Sequence, residues 1–128
     1  QRLGHSARRR LVGQRLAVVG QRRGAPDGNE AALGFRFGPV AYAPDVSLMP
    51  EAAQNRLHGL DLLIIDALRF SPHPNHFNIE GALQVVATLR PRRTLFTHMC
   101  HDLPHAETNA ALPEGMALAY DGLELECR

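Results

Sequence analysis

The chain has 128 residues, a formal net charge of +1 and 45% hydrophobic residues. These values allow one globular domain with a real core and give no reason to expect nucleic acid as the partner of the whole domain. No apolar run is long enough to cross a bilayer and no signal-peptide pattern is present, so the expected setting is cytoplasmic, without a membrane partner. Cys100 and Cys127 are too few for a disulfide framework and are not spaced as a zinc pair, so reduced thiols are expected.

The first thirty residues read as an Arg-rich lead and linker. Arg2, Arg8, Arg9, Arg10, Arg15, Arg22 and Arg23 all precede the first acidic residue, Asp27. A basic arm that grips phosphate would be expected to interleave aromatic residues for stacking on bases, and this segment has none. A solvated, poorly ordered end is the expectation, followed by a turn-rich linker from Gly24 to Glu30. The chain opens on Gln1 rather than Met, which reads as a start downstream of translation initiation.

From residue 31 onward the pattern is that of an α/β unit. Ala32 to Tyr42 alternates apolar and small residues around Gly38-Pro39, which predicts a hairpin whose second strand runs out towards Asp45. Pro50-Glu51 opens a short helix. Leu62-Leu63-Ile64-Ile65 is a buried strand closed by Asp66, and Thr94-Leu95-Phe96-Thr97 is a second one closed by His98. Between them Asn78 caps a helix over Ile79 to Leu89, with Leu83, Val86 and Leu89 on one face and Pro91 as its stop. One or two helical turns follow over Ala106 to Leu112. Met116 to Tyr120 and Leu123 to Leu125 then predict a final hairpin across Asp121-Gly122.

Ligands in open α/β sheets gather at the carboxyl ends of parallel strands. Asp45, Asp66, His73, His76, His98, His101, Asp102 and His105 mostly follow such ends. Imidazole with carboxylate suits zinc, manganese or iron, and a carboxylate can bridge two ions, so a metal-dependent hydrolase is the natural class for this set. Each residue also has a plainer role open to it. Asp45 can cap a turn, Asp66 can hydrogen-bond a loop, and His101 and His105 can be solvated.

Several stretches in the same order carry a more specific signal. Gly34-Phe35-Arg36-Phe37-Gly38, Ala41-Tyr42 through Asp45-Val46-Ser47, Asp66-Ala67-Leu68-Arg69, Pro72-His73-Pro74-Asn75-His76-Phe77, Leu95-Phe96-Thr97-His98-Met99, His101-Asp102-Leu103, Leu112-Pro113 and Ala119-Tyr120-Asp121-Gly122 together resemble the C-terminal half of a metallo-β-lactamase-fold hydrolase. The branch they resemble contains phosphoribosyl 1,2-cyclic phosphate phosphodiesterase and is related to the tRNA 3′-end-processing endonucleases. The resemblance runs from about Leu33 to Leu125 and implies half of an αββα sandwich, with a mixed sheet and flanking helices, over residues 31–128.

The resemblance also implies roles. Asp45 corresponds to the aspartate that bridges two metal ions, zinc or manganese, and His98 to the last histidine ligand. His76 corresponds to the histidine that protonates the leaving oxygen of a phosphodiester, a task suited to a group that titrates near neutral pH. Asp66, His73, His101 and Asp102 match in supporting places, where they would orient ligands or touch substrate. The implied substrate is a small phosphorylated molecule. The H-x-H-x-D-H motif of the family is not in this chain, and Gln21-Arg22-Arg23-Gly24 stands where a further histidine is expected. With two of the usual ligands, the chain by itself is expected to hold metal weakly or not at all and to be inactive alone. Two further expectations follow: a homodimer that covers the open sheet face, or a non-catalytic α/β binding or dimerisation module derived from the fold.

Overall fold

The computed structural model describes residues 15–25, 28–73, 76–101 and 103–125. Six strands form one mixed sheet in sequential order: β1 (Arg15–Ala25), β2 (Gly28–Phe37), β3 (Val40–Ala43), β4 (Leu62–Asp66), β5 (Arg93–Thr97) and β6 (Met116–Leu118). β1, β2 and β3 pair antiparallel, and β3 to β6 are mutually parallel. The crossovers carry helices α1 (Glu51–Gln54), α2 (Ile79–Leu89) and α3 (His105–Ala111).

Alternation along the strands decides which face the helices cover. Ala41, Ala43, Leu63, Ile65, Phe96 and Leu118 join a core cluster with Ala53 of α1 and with Ile79, Ala82, Val86 and Leu89 of α2. Leu83 packs only partly against it, so the buried stripe of α2 is offset from the expected Leu83, Val86, Leu89 face. Residues of opposite parity, among them Leu33, Phe35, Tyr42, Ile64 and Leu95, look away from this core. Leu33 is 57% and Tyr42 42% exposed. The layers are therefore helices on one sheet, half of an αββα sandwich.

α2 starts where Asn78 Oδ1 accepts from the Gly81 N–H at 2.9 Å and stops at Arg90, whose φ of 51° is left-handed. With Pro91 next, the chain cannot continue the helix and turns into β5.

Two expectations require correction. Gly24 to Glu30 is not a linker: β1 and β2 pair antiparallel with Ala25 opposite Gly28, and β2 runs through the expected boundary at residue 30. The alternation that marked Ala32 to Phe37 as strand extends upstream, and pairing with β1 overrides the local turn composition. Residues 1–14 of the Arg-rich lead lie outside the described residues. The final hairpin is also not formed. Its turn closes, with the Leu123 N–H donating to Tyr120 O at 3.1 Å, but residues 123–125 make no ladder. β6 instead pairs parallel with β5, and a three-residue alternation holds too little burial to add a strand.

Candidate metal centre

The parallel strands β3, β4 and β5 lie side by side, so their carboxyl ends form one edge. Asp45 follows β3, Asp66 ends β4, and His98 follows β5. The fourth member arrives from the loop between β4 and α2. The Phe77 N–H donates to Val46 O at 2.9 Å and the Leu68 N–H to Phe77 O at 2.9 Å. This bracing sets His76 beside the Asp45 turn.

His76 Nδ1 lies 2.8 Å from Asp66 Oδ2 and 3.1 Å from Asp45 Oδ1. Asp66 Oδ2 also accepts the Val46 N–H at 3.1 Å, which ties the Asp45 turn to the end of β4. The His98 ring stacks on His76 with centroids 4.6 Å apart, and His73 sits on His76 at 5.0 Å. His98 has a φ of 64°. A left-handed non-glycine residue is strained by about 1–2 kcal/mol, and here it occurs at the site. The Ala67 N–H to Thr97 O bond and the Cys100 N–H to Leu68 O bond hold the chain on either side.

Asp66 is fully buried. Burial is the largest cause that drives its carboxyl up from 3.8 to about 8; the Val46 N–H opposes the rise and the neighbouring Asp45 adds to it. Its Oδ1 accepts no hydrogen bond, and His98 Nδ1 is 3.9 Å away. Two close carboxylates, one with an orphaned buried oxygen, beside two imidazoles are a donor set that a divalent cation would satisfy.

Ligand atoms of Asp45, His76 and His98 all fall within 4.8 Å of one another. One carboxylate and two imidazoles are residue types that bind zinc. The structure thus brings His76, expected as a proton donor, into the same cluster as the two expected ligands. His73 joins through its ring contact. His101 lies in an exposed turn after His98, and Asp102 is outside the described residues. His105 opens α3 and meets Tyr120 edge-on at 6.4 Å. The closeness of His76 to Asp45 had no signal in spacing, because 31 positions separate them and the Val46 to Phe77 bond joins their loops.

These features coincide with a known family. A model of the β-lactamase superfamily domain matches residues 4–99, and the chain belongs to this metallo-β-lactamase-fold family. Among solved structures it is similar to a new diphosphatase from the PhnP family, with 41% identity, a TM-score of 0.82, and coverage of 89% of this chain and 43% of that one. Zinc-bound PqqB from Methylobacterium extorquens is 18% identical at a TM-score of 0.65, covering 85% of this chain and 48% of that one. The fold protein YhfI from Bacillus subtilis is 19% identical at 0.60, with coverages of 87% and 49%. The last two likenesses concern the fold alone. The chain spans less than half the length of each of these structures. No curated protein matches it. No helix among the described residues is long and apolar enough to cross a membrane.

Proposed function

We propose that this chain carries part of the active site of a metal-dependent hydrolase that cleaves phosphodiester, cyclic phosphate or diphosphate bonds in small phosphorylated molecules. The observation that supports it is the convergence of Asp45, His76 and His98 at one sheet edge; the likeness to a diphosphatase narrows the bond type. Asp45 and His98 would hold zinc or manganese, with two ions in the intact family architecture. A bound divalent ion would supply an acidified water and neutralise charge on phosphoryl oxygens.

The remaining work falls to the chain's own groups. Asp66 positions His76 through the 2.8 Å contact at Nδ1, which orients the ring and leaves Nε2 as the atom that would hold or deliver a proton to the leaving oxygen. His73, packed on His76, and His101 and Asp102, which follow His98, are supporting groups that orient the site or touch substrate. The setting is cytoplasmic, and the ligand is a small molecule rather than nucleic acid.

The test is metal content of the purified chain by inductively coupled plasma mass spectrometry, beside Asp45→Ala and His98→Ala, with hydrolysis of bis(p-nitrophenyl) phosphate in parallel. Zinc or manganese near one equivalent that is lost in both variants supports the centre. A folded chain without bound metal would remove it from this chain. Exposed Leu33 and Tyr42 on the sheet favour a second reading, in which the chain pairs with a second copy through that face.

A further inference from the structure

We propose that Arg69 is a positioning residue, whose guanidinium shapes the loop after β4 so that His73 is held against His76; this rests on the hydrolase reading above, in which His76 handles the proton of the leaving oxygen. Arg69, His73 and His76 all lie in the segment 67–78 that joins β4 to α2.

The base of this loop is closed by three bonds. The Leu68 N–H donates to Phe77 O at 2.9 Å, the Ile79 N–H to Arg69 O at 3.0 Å, and Asn78 Nδ2 to Phe70 O at 3.1 Å. Above the base, the two shoulders are held differently. The downstream one is tied to the body of the protein, by the Phe77 N–H to Val46 O bond and by His76 Nδ1 against Asp66 Oδ2. On the upstream one, no backbone–backbone bond reaches Ser71 or Pro72 among the described residues, and Pro72 has no N–H to offer. Arg69 supplies the missing restraint. Its Nε donates to Ser71 O at 3.3 Å and its Nη2 to Pro72 O at 3.0 Å.

The chemistry of the side chain suits the task. Nε–H and one Nη2–H lie along a single edge of the rigid guanidinium plane, so one group can take two successive carbonyls at once. Gripping both limits the rotation of the two peptide planes that lead into His73, and so sets the direction in which the chain enters that residue. The His73 ring then sits 5.0 Å from the His76 ring at an interplanar angle of 48°. Arg69 therefore acts on His76 through His73 and makes no claim to touch substrate itself. Its two bonds lie at the surface, where water competes for the same carbonyls, so their loss changes local order far more than global stability.

The experiment is NMR of the whole chain, kept metal-free with chelator, with two readouts. The first is the Arg69 Nε–H signal of the unaltered chain, compared with that of Arg92, whose side chain is 80% exposed. Slower exchange with water at Arg69 than at Arg92 is expected. The second is the set of nuclear Overhauser cross-peaks between the His73 and His76 rings, in the unaltered chain and in Arg69→Met, which keeps the apolar stem and removes the donors. The cross-peaks are expected in the unaltered chain and lost in the variant, while the urea midpoint stays in place. Cross-peaks that persist in Arg69→Met, with or without a fall in the midpoint, would overturn the proposal, and so would an Arg69 Nε–H that exchanges as fast as that of Arg92. Neither readout depends on metal or turnover, so a failure of hydrolysis would count against the function proposed above and leave this result standing.

Discussion

At the scale of single residues, His98 and Asp66 carry the tension of the site. The His98 backbone is left-handed and nearly half of its side chain is exposed, so its imidazole is held at a backbone cost and with little burial in return. His98→Gly should therefore leave the metal-free chain about 1 kcal/mol more stable than His98→Ala does, although both lose the ligand; urea denaturation of the two variants measures the difference. Asp66 titrates in the opposite sense to a salt-bridged aspartate. Its folded value, raised to about 8 from 3.8, means that the folded metal-free chain binds the proton more tightly than the unfolded one. That contribution to stability is complete below about pH 4 and is lost as the pH rises through about 8. Denaturation midpoints of the metal-free chain should fall across this window, and Asp66→Asn should flatten the decline.

At the scale of elements, the loop between β4 and α2 decides whether His76 reaches the site. Asn78 serves both ends of that loop. Its Oδ1 caps α2 at Gly81, and its Nδ2 donates to Phe70 O at 3.1 Å. Asn78→Ala removes both bonds and should destabilise the chain by about 1–2 kcal/mol. Because the same loop positions His76, metal affinity should fall as well, measured by titration with a competing chelator. An unchanged affinity in the destabilised variant would show that the Phe77 to Val46 bond alone holds the loop.

At the scale of the whole molecule, one face of the sheet is covered by helices, while on the other Val40 and Leu62 are buried and Leu33 and Tyr42 are exposed among the described residues. Leu33, Tyr42 and their neighbours in register would rest against another layer in a complete sandwich. If a second copy supplies that layer, the chain should sediment as a concentration-dependent dimer, and Leu33→Glu should shift it to monomer without unfolding it. A monomer at all concentrations in analytical ultracentrifugation would exclude self-pairing.

Much of this was written in local pattern. The apolar runs ending at Asp66 and His98, the Asn78 cap and the Pro91 stop are short-range signals, and the elements form there because neighbouring residues suffice to define them. The hairpin around Gly38-Pro39 was legible for the same reason. Less legible were features that depend on partners distant in the chain. β1 exists because β2 lies beside it, and β6 takes β5 rather than residues 123–125 as its neighbour. By itself the sequence carried the resemblance to the family, through several motifs in one order, and the parallel strands ending at Asp66 and His98, through local apolar runs. Only the tertiary structure decided that His76 stands within ligand distance of Asp45 and His98, because long-range backbone bonds bring those loops together.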